Sequence, residues 1–316
     1  MTDNDLDEVG PGLRAPLAVL PNFGTLSMDN LASFRDALAG VAPEATDAVS
    51  AEQVEAIGAD GHVVPCILHR ARSDAPLPVI LNIHGGGYVV GDAAREAPAM
   101  SALAATLGCA VLSVDYRLAP DAPYPAALDD CAAALQWLQA QASALNIDPG
   151  RIVIRGVSAG GGLAAGLMLR CAESMELPPR LLMLIYPMLD NRLQPAGRTG
   201  NYVWTRDANR FGWDAYLGEH AANPPLEAVP GMAENLAAFP PTFIAVGDID
   251  LFLAENLEFA ARLARSQVGV ELHVYRGGYH GFNLIPNTPL SNAFARDCLE
   301  ALRRAFGLAP AEPSTA

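Results

Sequence analysis

A serine with glycines two residues to either side is the first feature of this 316-residue sequence that could do chemistry. The run Ile152-Val-Ile-Arg-Gly156-Val-Ser158-Ala-Gly160-Gly-Gly-Leu is an apolar strand, a Gly-x-Ser-x-Gly turn and a small-residue helix start in immediate succession. A serine hydroxyl is a weak nucleophile unless a sharp strand-to-helix turn exposes it to substrate and to a base. Gly156 and Gly160 leave room for that turn. Gly-x-Ser-x-Gly also occurs in ordinary loops, so its place between strand and helix is what marks Ser158 as a nucleophile.

A second apolar run, Val79–Ile83, ends in His84-Gly85-Gly86-Gly87-Tyr88. Three glycines in a row are conformationally costly, so something needs close backbone approach. In a hydrolase that need is an oxyanion hole, built from the N–H groups of Gly85 and Gly86 with that of Ala159. Ala159 also opens a helix, whose positive end favours the same anion. The glycines lack the Gly-Lys-Ser/Thr of a phosphate loop and no Gly-x-Gly-x-x-Gly opens a helix, which disfavours a nucleotide cradle.

An acid and a base follow in chain order. Thr242–Val246 leads into Gly247-Asp248-Ile249-Asp250, and Glu271–Tyr275 into Arg276-Gly-Gly-Tyr279-His280-Gly281-Phe282. Both loops would leave the carboxyl ends of parallel strands, the edge where open α/β sheets bind ligands. His280 would take the Ser158 proton and return it to the leaving alcohol, while a carboxylate steadies the imidazolium. Spacing alone leaves Asp248 and Asp250 as rival acids. His62, His69, His220 and His273 have no such neighbourhood, and His84 reads as an anchor of the glycine loop.

Positioning these groups takes an α/β chain. Short runs at Gln53–Ile57 and His62–His69, split by Ala59-Asp60-Gly61, predict an antiparallel pair. From Val79 onward apolar strands at 79–83, 110–114, 152–154, 181–185, 242–246 and 271–275 alternate with helices at 96–107, 126–145, 159–172, 253–264 and 291–306. That rhythm predicts a parallel sheet covered on both faces. An amphipathic helix over 28–38, capped by Ser27 or Asp29, precedes it. From Asp190 to Phe239 the rhythm breaks into a Gly-, Pro- and aromatic-rich insertion with one helical piece at 208–217.

Composition narrows the partners. A net charge of −15, from 20 basic and 35 acidic residues, argues against nucleic acid. Five scattered cysteines show no metal or disulfide spacing, and Cys109 and Cys131 lie in apolar surroundings, which suits buried thiols in a reducing compartment. The polar start MTDNDLDEVG is unlike a secretory signal, and no apolar run reaches the roughly 18 residues of a membrane span, so cytoplasmic residence is expected.

Taken together, the motifs resemble the bacterial hormone-sensitive lipase-like esterases (family IV) of the α/β-hydrolase superfamily. The resemblance runs from about Phe34 to Phe306 and is carried by His84-Gly-Gly-Gly87, by Asp115-Tyr-Arg-Leu-Ala-Pro120 through Asp130, by Gly156-Val-Ser-Ala-Gly160 and by Tyr279-His-Gly-Phe282. It implies an eight-stranded, mostly parallel sheet with a helical cap. The domains would be an N-terminal cap segment (1–50), the catalytic domain (51–197 and 236–308), a cap insertion (198–235) and a disordered tail (309–316). It also makes Asp250 the acid, with Glu255 as loop support. The family's usual Asp, Glu or Thr before the nucleophile is Val157 here, and Ala254 stands where a second Asp is common.

The implied activity is that of a serine carboxylesterase on short- to medium-chain acyl esters, through an acyl-enzyme and with no cofactor or metal. Tyr88, Phe211 and Trp213 are the candidate substrate contacts, although aromatics at helical spacing also suit cap packing. The same machinery would attack an amide, lactone or carbamate, and a non-catalytic binding module would need a missing triad member. Pro120, Pro123 and Pro125 make a stiff loop, and Arg117 and Asp121 read as its hydrogen-bonding braces. A strand near Val270–Tyr275 and the last helix offer a two-fold homodimer contact.

Overall fold

The computed structural model describes residues 6–21, 23–41, 44–171, 173, 175–192 and 197–309. Eight strands form one sheet: β1 (Val49–Ile57), β2 (Val63–Ala71), β3 (Leu77–Ile83), β4 (Ala110–Val114), β5 (Ile147–Val157), β6 (Leu181–Ile185), β7 (Thr242–Gly247) and β8 (Val270–Tyr275). Their order is β1-β2-β4-β3-β5-β6-β7-β8. Only β2 runs antiparallel to its neighbours, so β3 to β8 all end at one edge. Ser158, Asp250 and His280 leave that edge from β5, β7 and β8.

The strand period of two sorts side chains between two cores. Ile80, Val111 and Val153 face a cluster with Met100 and Leu107 of α2 (Ala93–Leu107) and Phe294 and Leu302 of α7 (Pro289–Phe306). Leu81, Leu112 and Ile154 face the other. That second core is covered by α3 (Ala126–Ala140), α4 (Ala159–Cys171) and α6 (Leu253–Arg265). Two further helices, α1 (Leu31–Leu38) and α5 (Arg206–Leu217), pack against the same core.

Several predicted boundaries move. α2 starts one turn before Glu96, because Asp92 caps it by accepting the Arg95 N–H at 2.7 Å. α3 stops at Ala140, and the chain turns through Asn146, whose φ is +53°. β5 begins at Ile147 rather than 152, since Asp148-Pro-Gly150 sits within a register shift against β3 instead of ending a strand. α1 starts at Leu31 and neither Ser27 nor Asp29 caps it: Asn30 holds the cap position, and its Oδ1 accepts the Ser27 N–H. Residues 310–316 of the expected tail lie outside the described residues.

The proline-rich loop is braced as expected. Arg117 grips the buried Asp130 with Nε and Nη2, and Asp121 pairs with Arg35 of α1 at 2.6 Å. The cysteines are free thiols, all buried except the half-buried Cys171, and burial pushes those of Cys66, Cys109 and Cys298 up to about 12. No helix among the described residues is long and apolar enough to cross a membrane.

Leu81 is fully buried in the strand that carries the glycine loop. Leu81→Ala should lower unfolding free energy by about 2–5 kcal/mol. A urea midpoint indistinguishable from the parent's would contradict this account of the core.

Candidate active site

The backbone at Ser158 is left-handed, with φ of +55°, at the junction of β5 and α4. A non-glycine residue held there costs of order 1–3 kcal/mol. The surroundings allow nothing else: Ser158 donates its N–H to the Ile185 carbonyl at 2.9 Å, and its carbonyl accepts from Gly161 and Met188 at 2.9 and 3.0 Å. Both flanking glycines are sterically required. A Cβ on Gly156 would lie 2.2 Å from the Gly160 carbonyl oxygen, and one on Gly160 would lie 2.2 Å from that of Ile83.

The three chemical groups converge. Ser158 Oγ lies 3.0 Å from His280 Nε2, and His280 Nδ1 lies 2.9 Å from Asp250 Oδ2. Asp250 is fully buried, and its other oxygen accepts the Phe252 N–H at 2.9 Å. The carboxylate thus fixes the imidazole with Nδ1 protonated, which leaves Nε2 free to accept from the hydroxyl. Asp248 is occupied elsewhere: it pairs with Arg198 at 2.6 Å and accepts the Gly277 N–H. Of the two carboxylates that spacing left as rivals, Asp250 is thus the one bonded to His280.

Opposite the hydroxyl lies the glycine loop. A Cβ on Gly85 would fall 3.3 Å from that of Ser158, so this backbone abuts the serine side chain. Among the described residues, the N–H groups of Gly85, Gly86 and Ala159 meet no acceptor. His84 anchors the loop: its Nδ1 bonds the Gly85 carbonyl at 2.8 Å, and its ring stacks on Tyr116 at 4.1 Å. Because C=O and N–H oppose one another across a peptide, tethering the Gly85 oxygen turns the Gly86 N–H the other way.

Three aromatic rings surround the imidazole: Tyr186 and Phe252, which the sequence did not single out, and Trp204, one of the insertion's aromatics at partly helical spacing. Tyr186 and Phe252 meet it edge-on at 4.5 and 5.1 Å, and Trp204 lies 6.3 Å away. Trp204 also crosses the glycine loop, where a Cβ on Gly87 would be 2.0 Å from its ring. The nearness of Phe252 to Asp250 in sequence hinted at one of these contacts, whereas nothing in the sequence pointed to Tyr186.

The other candidates take varied places. Tyr88 and Trp213 are buried, with rings 5.3 Å apart, whereas Phe211 is half-buried on α5. Glu255 supports a different loop from the acid's: its buried carboxyl accepts the Leu189 N–H after β6, at 2.7 Å. Burial pushes that carboxyl well above its ordinary value of 4.5, and the neighbouring Asp190 and Asp250 add to the shift. A groove of about 440 Å³ between α3 and α4, lined by Leu135, Leu167 and Cys171 among others, contains none of the three chemical groups.

Comparison with known proteins agrees with this geometry. A family model described as the alpha/beta hydrolase fold matches residues 80–284. The esterase LipI of Mycobacterium tuberculosis H37Rv is 37% identical over 215 residues, 66% of this chain and 66% of its own. Ethyl acetate hydrolase of Pseudomonas putida is 30% identical over 278 residues, 85% of this chain and 87% of its own. Among solved structures, a bacterial heroin esterase matches with a TM-score of 0.88 at 34% identity, over 95% of this chain and 99% of that one.

Because folded Glu255 keeps its proton to higher pH than the unfolded chain does, stability should fall as pH rises above about 4.5 toward the folded value. Glu255→Gln keeps an acceptor for Leu189 and should flatten that decline. Equal pH slopes in parent and variant, measured by denaturant unfolding, would count against a proton held at this site.

Proposed function

The chain belongs to the hormone-sensitive lipase-like esterases of the alpha/beta hydrolase fold and is a carboxylic ester hydrolase, and from that premise we propose that it cleaves short- to medium-chain acyl esters through an acyl-enzyme on Ser158. The observation that carries this reading is the unbroken chain from Ser158 Oγ to His280 Nε2 and from Nδ1 to Asp250, at 3.0 and 2.9 Å.

In this reading the Ser158 oxygen attacks the ester carbonyl carbon while its proton passes to His280 Nε2. The carbonyl oxygen, now an anion, takes the N–H groups of Gly85, Gly86 and Ala159. As the intermediate collapses, the bond to the alcohol breaks and His280 gives its proton to the departing oxygen. Water then loses a proton to His280 and attacks the acyl carbon; the bond to Ser158 Oγ breaks, the carboxylic acid departs, and His280 returns its proton to the Ser158 oxygen. Asp250, fully buried beside the imidazole, offsets the charge of the imidazolium as it forms.

Small substrates suit the access: Ser158 and His280 are only 4% and 7% exposed, with the Trp204 ring 6.3 Å from the imidazole. The relative named for ethyl acetate points the same way. Residues 1–50 and 198–235 would act as the cap over this site, with the exposed Val270 and Val274 of edge strand β8 as a homodimer contact and the cytoplasm as its location.

Ser158→Ala should lower kcat on p-nitrophenyl butyrate by about 10⁴-fold or more without changing the circular dichroism spectrum. Turnover near the parent level would refute Ser158 as nucleophile. In an acyl-length series on the parent, kcat/KM should peak at short to medium chains, and a steady rise to long chains would refute the substrate class.

A further inference from the structure

The loop after β6 joins backbones that the reaction needs on either side of the substrate. Met188 donates its N–H to the Ser158 carbonyl at 3.0 Å, and its own carbonyl accepts from the Tyr88 hydroxyl at 3.2 Å. The loop is held from α6 as well, by Glu255 on Leu189 and by Asn256 Nδ2 donating to the Pro187 carbonyl at 2.8 Å. Tyr88 directly follows the three glycines, so its side chain and the Met188 backbone together link the glycine loop to the backbone of Ser158.

Tyr88 is built in at a cost. Its φ is +67°, a left-handed conformation that a bulky residue keeps only when its surroundings impose it. Ser158 at +55° and Tyr186 at +35° share that feature, so three such residues ring one short loop. The Tyr88 ring stacks on Tyr216 of α5 at 4.0 Å and 13°, and its hydroxyl presses on α4, where a Cβ on Gly162 would be 2.3 Å away. Ring and hydroxyl are both fixed, in a dry setting where a hydrogen bond is strong and a missing one is costly.

We propose that Tyr88 is a positioning residue that sets the register between Ser158 and the oxyanion donors, acting through the Met188 carbonyl and N–H. The proposal rests on Ser158 being the nucleophile. Packing of α5 on the Tyr88 ring thereby reaches the reacting atoms without any residue of α5 touching them.

The test is Tyr88→Phe, which keeps the stacked ring and removes the hydroxyl. Steady-state hydrolysis of p-nitrophenyl butyrate is measured per active site, with sites counted by fluorophosphonate labelling of Ser158. We expect kcat per site to fall about tenfold or more with KM within about twofold, and the labelling rate constant to fall in proportion. A purely structural tyrosine would lower the melting temperature and leave kcat per site at the parent value, which would overturn the proposal. Should that variant yield no folded protein, Tyr216→Leu withdraws the stacked ring while sparing the hydroxyl, and unchanged kcat per site there overturns it equally. A parent protein that fluorophosphonate does not label at Ser158 would overturn the nucleophile reading and this proposal together.

Discussion

The left-handed turn at Ser158 is imposed from outside the residue. Its N–H goes to β6, its carbonyl to α4 and to Met188, and Cβ atoms on Gly156 or Gly160 would collide with backbone. Strain of order 1–3 kcal/mol persists only where neighbours over-determine the conformation. The neighbours here are the central strands β3, β5 and β6, with alternate residues buried on both faces. The sheet's main service to chemistry is thus to resist relaxation of one residue.

Charge is managed by the same dry packing. Asp250 has no solvent exposure, yet it stands against an imidazole that can become cationic, and it keeps a backbone N–H as a second partner. Glu255, close enough to feel Asp250, is driven toward its neutral form by burial and by the carboxylates of Asp190 and Asp250. Two carboxyls in one neighbourhood can therefore do different work: Asp250 holds the imidazole, while Glu255, pushed toward its neutral form, braces the loop after β6.

Much of this was legible in the sequence because it is local. Gly156-Val-Ser-Ala-Gly160, the three glycines after β3 and the order of serine, acid and histidine each declare themselves within a few residues. Contacts across strand order do not. Met188 reaches Ser158 because β5 and β6 are neighbours, and Tyr186 and Trp204 reach His280 across gaps of 94 and 76 residues, so no periodicity could announce them. The boundary errors have the same origin. Asp148-Pro-Gly150 looks like a turn, but a register shift beside Leu77 keeps it in the sheet, and the Asp92 cap of α2 lay one turn before the expected start.

The division between loops and insertion has a consequence for how the site can change. Ser158, Asp250 and His280 issue from strand ends whose spacing the sheet sets, and none can shift far without breaking a buried contact. Trp204, Trp213 and Tyr216 belong to a segment that is tied down by side-chain packing and a few bonds, such as Tyr124 donating its N–H to the Tyr216 carbonyl at 2.7 Å. Substitutions there alter what surrounds the imidazole and the glycine loop while the strands are left alone. The strand-end residues and the aromatic segment beside them therefore have different mechanical support, and the second can vary at lower cost than the first.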